Sequence, residues 1–266
     1  MAGSLESDLE VAAQIAREAG AILLEGWGTR PEVRFKSEDI NLVTEFDGRS
    51  EKLIVERLGA AFPDDAVIAE EGASRHGRSG RIWYVDPLDG TTNFSHGLPL
   101  FAVSIGLCVG ERAVLGVVEA PAVHWTFTGF AGGPGLWNGR PITPSVIARL
   151  DRSLLVTGFP YVRNPEVSNI PEFIAMTSFS QGVRRLGAAA LDLCFVASGW
   201  LDGYWERQLR PWDLVAGAAI VEAAGGKVSS PEGGPFVPET GSVLATNGRI
   251  HDEILARLRA VKEAAR

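Results

Sequence analysis

The densest chemistry in the sequence lies between Asp86 and Phe94, in the run Asp-Pro-Leu-Asp-Gly-Thr-Thr-Asn-Phe. Two carboxylates flank Pro87 and Leu88; Gly90, two hydroxyls and the Asn93 amide follow. Gly90 permits a tight turn and lets a ligand approach the backbone. A carboxylate pair beside exposed backbone N–H groups suits a metal ion that holds a phosphate. Read alone, Asp89-Gly90 is also an ordinary turn dipeptide. Two competing chemistries fail on spacing. An EF-hand calcium loop counted from Asp86 places Leu88 at the third position and Gly97 at the twelfth, where acids belong. An Asp-x-Asp-Gly-Thr loop with an aspartyl nucleophile needs one residue between its acids, whereas this run has two and lies in mid-chain.

The run is delivered by Ile82-Trp83-Tyr84-Val85, whose apolar and aromatic residues predict a buried strand. Pro87 predicts that this strand ends there, since proline cannot continue a central sheet. Upstream, helical spacing predicts a helix over 7–27, opened by a Ser7/Glu10 capping box. A strand at 33–36, a tip at 37–40 and a return at 41–44 follow. A second helix then runs from Glu45 until Pro63-Asp64-Asp65 stops it. A strand at 66–69 ends on Glu70-Glu71, and 72–80 is a polar loop. Downstream, strands are predicted at 101–109, 113–119 and 125–130, with a hairpin arm at 136–142. A second unit starts near Arg149. Its strands are predicted at 154–157, 182–186, 201–206 and 243–246, and its helices at 173–179, 188–198, 212–224 and 250–261. A long polar loop spans 160–171.

At 266 residues the chain makes one large domain or two small ones. A net charge of −8 argues against a nucleic-acid partner, which needs phosphate neutralisation. It does not exclude an anionic substrate, because local metal ions reverse the field. Cys108 and Cys194 sit in apolar runs and read as buried thiols of a reducing compartment. The N-terminus has no signal-peptide pattern, and no run approaches the roughly 20 apolar residues of a membrane span. The expectation is a soluble cytoplasmic protein with no membrane partner. His76, His96, His124 and His251 are scattered, beside no catalytic Ser or Cys signature, and read as surface or turn residues.

Two more segments complete the pattern: Glu70-Glu71, and Trp212-Asp213-Leu214-Val215-Ala216-Gly217. Read alone, Asp213 caps the helix it opens. With the 86–94 run, in this order and across nearly the whole chain, these segments resemble the inositol monophosphatase family of magnesium-dependent, lithium-sensitive phosphatases. The resemblance implies an α+β fold of stacked α-β-α-β-α layers, of the inositol monophosphatase and sugar phosphatase type. An N-terminal half, 1–148, would carry most metal ligands, and a C-terminal half, 149–266, Asp213 and Glu206, as one functional unit.

By the same resemblance the cofactor is Mg²⁺, two to three ions per site. Glu70, Asp86 and the Leu88 carbonyl would hold one, and Asp86, Asp89 and Asp213 a second, with Asp86 bridging. A weaker third ion is expected near Glu70. Glu70 and Thr91 would orient a metal-activated water, and the N–H groups of Gly90 and Thr91 would hold the phosphate. Ala189 and Glu206 would line the alcohol side, with Asp89 and Asp213 also bordering the substrate. Glu206 accepts hydrogen bonds from ring hydroxyls and repels a second phosphate. The expected substrate is therefore a small phosphate monoester, myo-inositol 1-phosphate, with histidinol phosphate or another small sugar or polyol phosphate as the alternative. Thr44, Asp47 and Lys36 keep the family pattern, but Asn41 stands where an Asp is common, which predicts a weaker third ion and an altered lithium response. A homodimer is the family expectation. The alternative of another class is a regulatory binding protein on the same fold.

Overall fold

The computed structural model describes residues 4–29, 34–35, 42–159 and 169–264. Lys36, Asn41, the predicted tip at 37–40 and most of the predicted 160–171 loop lie outside the described residues. The chain forms α1 (Leu5–Gly26), β1 (Arg34–Phe35), β2 (Leu42–Val43), α2 (Glu45–Ala61), β3 (Ala66–Ala69), β4 (Ser74–Arg75) and β5 (Arg81–Asp89). It continues through α3 (Thr91–Ser95), β6 (Ala102–Val109), β7 (Arg112–Ala120), β8 (Trp125–Phe130), β9 (Leu136–Trp137) and β10 (Arg140–Pro141). The remainder is β11 (Leu154–Thr157), α4 (Ile170–Phe179), β12 (Gly182–Arg184), α5 (Ala189–Ala197), β13 (Gly203–Glu206), α6 (Pro211–Ala223), β14 (Lys227–Ser229), β15 (Val243–Thr246) and α7 (His251–Ala264).

Among the described residues two large sheets form, in the orders β10-β9-β8-β7-β6-β5-β3-β4 and β12-β11-β13-β15-β14. Helices α1 and α2 cover the outer face of the first sheet, where Leu23, Ile54 and Leu58 pack with Trp83, Val103 and Ile105. Helices α5 and α6 lie between the sheets, burying Leu193, Leu214 and Ile220 with Val118 of one and Tyr204 and Val243 of the other. Helices α4 and α7 close the far side through Met176, Ile254 and Leu258 over Trp205 and Leu244. The layers are therefore α-β-α-β-α, as the resemblance implies. No helix among the described residues is long and apolar enough to cross a membrane.

Several local expectations are corrected. Helix α1 starts at Leu5, and its cap is Ser4, whose hydroxyl accepts from the Ser7 N–H; the Ser7/Glu10 box does not form the start. The capping box belongs to α2, where Asp47 accepts from the Thr44 N–H at 2.9 Å. Strand β5 does not stop at Pro87 but continues to Asp89 through a bulge. Asp86 pairs with Ser104 and Asp89 with Ala102, so β5 carries one extra residue. A bulge is one of the few places where a central strand tolerates a proline. His251 is fully buried, not on the surface; its ring nitrogens lie 2.9 Å from the hydroxyls of Ser229 and Thr246.

A row of glycines sets the middle layer. Gly106, Gly116 and Gly129 are register partners across β6, β7 and β8. A Cβ on Gly116 would lie 2.0 Å from the Ala216 carbonyl oxygen, and one on Gly106 would lie 2.6 Å from the Ala216 nitrogen. Only glycine leaves room for the α6 backbone to rest directly on the sheet.

Candidate active site

The bulge brings the acids of β5 to the bottom of the site. Ser50 of α2 donates to the Pro87 carbonyl at 3.0 Å, and the Leu88 N–H donates to Asp86 Oδ1 at 2.9 Å. Both bonds hold the extra residue in place. Gly90 then turns the chain with φ 86° and ψ 37°, a left-handed conformation suited to glycine. Its N–H and that of Thr91 lie at the start of α3, a helix of only five residues. The Thr91 hydroxyl sits 3.1 Å from the Leu88 carbonyl and 3.5 Å from Asp47 Oδ1.

Three other elements converge on this turn. Strand β3 runs parallel to β5, and the Glu70 N–H extends that ladder to the Val85 carbonyl at 3.1 Å. This sets Glu70 beside Asp86. Glu51 accepts from the N–H groups of Glu71 and Ala73, which fixes the turn after Glu70. Helix α6, lying in its glycine groove, is anchored where Ser104 donates to the Trp212 carbonyl at 3.1 Å. Asp213 therefore reaches the acids of the other half while accepting from the Arg210 N–H at 2.7 Å. The capping reading of Asp213 and its place in the acid cluster both hold. Finally, Asp89 accepts from the N–H groups of Ala189 and Ala190 at 3.2 and 2.8 Å, so α5 begins against it.

The electrostatics follow from this convergence. Burial, then the charges of Glu70, Asp89 and Asp213, push the Asp86 carboxyl well above the usual range. Burial, then Glu70, raises Asp213, and the Arg210 N–H opposes this. Asp89 is pushed up to about 7 by burial, against the pull of its two N–H donors. Glu206, at the end of β13, is 6% exposed and also raised to about 7, by burial. Tyr204 donates to it at 2.7 Å, and Gly158 faces it so closely that a Cβ would fall 2.1 Å from its Oε2.

Glu70, Asp86, Asp89, Asp213 and Glu206 are thus brought within one another's field, with Leu88, Gly90, Thr91 and Ala189 around them. As they stand, no three His, Cys, Asp or Glu side chains among the described residues form a ready metal-holding group. Like charges repel, and with burial that repulsion favours the protonated forms of Asp86, Asp89 and Asp213. The donor set nevertheless fits a hard divalent ion: the buried carboxylates of Asp86 and Asp89, the half-buried ones of Glu70 and Asp213, and a backbone carbonyl, with no sulfur or imidazole. The sequence reading missed Asp192 on α5, 1% exposed, whose Oδ1 lacks a hydrogen-bond partner and whose carboxyl is raised by burial and by Glu206. It stands inside the apolar run of α5, a position that gave no signal.

The chain as a whole is similar to known proteins. The model of the inositol monophosphatase family matches residues 4–263. An inositol-1-monophosphatase of Synechocystis sp. is 43% identical over 97% of this chain and 91% of its own. A Nus factor SuhB of Pasteurella multocida is 37% identical over 94% of this chain and 95% of its own. The solved structure of an inositol monophosphatase from Anabaena superposes with a TM-score of 0.87 at 42% identity, covering 96% of both chains.

Proposed function

Since the chain belongs to the inositol monophosphatase family, a family of phosphatases, we propose that it is a magnesium-dependent phosphomonoesterase acting on myo-inositol 1-phosphate. The observation that carries this reading is the cluster of Glu70, Asp86, Asp89 and Asp213, in which burial and neighbouring charge raise the carboxyls of the three aspartates. Such a cluster destabilises a fold unless cations neutralise it. Glu70, Asp86 and the Leu88 carbonyl would hold one magnesium, and Asp86, Asp89 and Asp213 another. Bound there, magnesium would supply Lewis acidity and lower the pKa of a water.

The chain's own residues do the rest. Glu70 and Thr91 orient the attacking water, and Glu70 takes its proton. The Thr91 hydroxyl is fixed for this by the Leu88 carbonyl and Asp47. The N–H groups of Gly90 and Thr91 face the phosphate. Glu206, held by Tyr204, accepts hydrogen bonds from the hydroxyls of the departing alcohol, beside Ala189. The likeness to the Synechocystis inositol-1-monophosphatase supports the inositol ester over histidinol phosphate.

A second reading is a binding role on the same fold, favoured by the relative named a Nus factor. One assay separates the two. Phosphate release from inositol 1-phosphate, histidinol phosphate and a sugar phosphate is measured with magnesium and with excess chelator. The proposal expects magnesium-dependent turnover that is fastest on the inositol ester. Undiminished turnover in chelator would sink the metal mechanism, and none on any ester would favour the binding role.

A further inference from the structure

We propose that Asn93 is a positioning residue for this reaction, its amide fixing the gap between the phosphate turn and the alcohol side of the site. The proposal rests on the phosphatase reading above. Asn93 is 5% exposed and lies in the middle of α3. Its Nδ2 donates to the Leu100 carbonyl at 2.7 Å and to the Leu186 carbonyl at 2.8 Å. A primary amide nitrogen has two donors, so both are used. They join α3 to one segment just downstream and to another in the opposite half of the chain. From Leu186 only Gly187 and Ala188 intervene before α5 begins at Ala189.

The packing around the amide leaves little freedom. A Cβ on Gly187 would lie 3.4 Å from the Asn93 amide atoms, and Gly187 holds φ +87°. From the other side, a Cβ on Gly90 would lie 3.0 Å from the Leu100 carbonyl oxygen and 3.3 Å from that of Gly187. The turn, the segment at Leu100 and the approach to α5 therefore meet around one side chain.

A parallel link already exists, since Asp89 accepts from the N–H groups of Ala189 and Ala190. Asp89 belongs to the proposed ligand set, so a cation competes for its oxygens. The Asn93 bonds are neutral and use no group that a cation or a phosphate would take. Asp89 couples the start of α5 to the ion, and Asn93 holds it in register in either state. An ester with a large alcohol touches both sides of that gap, whereas one with a very small alcohol touches only the turn and the acids. Loss of the clamp should therefore be felt selectively.

The test compares Asn93→Ala with the parent chain in saturating magnesium, using myo-inositol 1-phosphate and methyl phosphate. Misplacement of a contact by about an ångström costs up to roughly a hundred-fold. The expected result is a loss of roughly ten-fold or more in kcat/KM on the inositol ester, carried mainly by KM, against less than about three-fold on methyl phosphate. Equal losses on both esters would show a merely structural residue and overturn the proposal. If the alanine chain is insoluble, Asn93→Asp is read the same way; it keeps the volume, and its carboxylate cannot donate to the two carbonyls. If the parent chain hydrolyses neither ester, the phosphatase reading fails by itself. The clamp is then judged by hydrogen exchange at the Ala189 and Ala190 amides without metal: faster exchange in the variant supports it, and unchanged exchange overturns it.

Discussion

The two ends of β5 carry similar residues in opposite conditions. At its start, Arg81 lies 2.7 Å from Asp8 of α1 and 2.9 Å from Asp65, and the Trp83 indole N–H donates to Asp65 at 2.9 Å. The contact of Arg81 Nε with Asp65 is an ion contact and not an aligned hydrogen bond. The guanidinium also lies over the rings of Phe62 and Trp83. Two buried acids are neutralised there by a cation of the chain itself. At its end, Asp86 and Asp89 meet Glu70, Asp213 and Glu206, and burial with mutual repulsion holds their carboxyls up. Arg210 eases Asp213 and Arg185 eases Glu206, but among the described residues no guanidinium is inserted between the acids. One strand thus shows both uses of a buried carboxylate. An acid paired within the chain serves the fold, and an acid left to repel its neighbours needs something from solution.

The largest break in this comparison is Asp86→Asn. In the proposed mechanism this carboxylate serves two ions. Losing one preorganised electrostatic contact costs roughly 10²–10³ in turnover in other enzymes, so the loss here should exceed roughly a thousand-fold. The metal-free protein should melt no lower than the parent, because the change removes charge from a repelling cluster. Turnover and melting measured on the same preparation decide the matter. Retained turnover, or a collapse of the metal-free melt, would mean that Asp86 serves the fold.

Arg81→Leu attacks the other end. Removing one partner of a buried ion pair costs roughly 3 kcal/mol, since Asp8 and Asp65 keep their charges without a counterion. Denaturant unfolding should show that loss, while kcat per folded molecule stays close to the parent's. An equal fall in kcat with little loss of stability would mean that the two ends of β5 are not separable.

How much of this was legible in the sequence follows from the range of the signals. The 86–94 run could be read because its chemistry is consecutive, and most helices and strands because their periodicity is local. The bulge could not, since Pro87 reads as a strand end unless Ser50 and the Ala102–Ser104 register are known. Nor could the glycine row, because Gly106, Gly116 and Gly129 acquire meaning only against Ala216 and Ile220 of α6. Asp192 inside an apolar run, and His251 between Ile250 and two acids, give no sign in sequence of the distant residues that surround them. Glu206 was named through the resemblance alone, and its Tyr204 partner and the bare wall at Gly158 come from the fold.

The smallest and most general test of the comparison is the pH dependence of stability. Asp89 and Glu206 are raised to about 7 in the folded chain, and Asp86, Asp192 and Asp213 are raised as well. Unfolded carboxyls titrate near about 4. Between these values the folded state binds more protons than the unfolded one, so stability falls as pH rises. The contribution of Asp89 and Glu206 is complete below about pH 4 and lost as pH passes through about 7, and the other three act in the same direction. His251, lowered to about 4 by burial, works the other way, losing stability as pH falls below about 6.5. It is one group against several acids, so the net slope of the metal-free melt should be downward with rising pH. A divalent cation competes with those protons for the same oxygens. Magnesium should therefore raise the melting temperature more at pH 8 than at pH 5, flattening the curve. In Glu206→Gln the downward slope should shrink, because one raised carboxyl is gone. A flat metal-free curve, with a magnesium shift independent of pH, would show that the acids at the end of β5 are as well neutralised as those at its start.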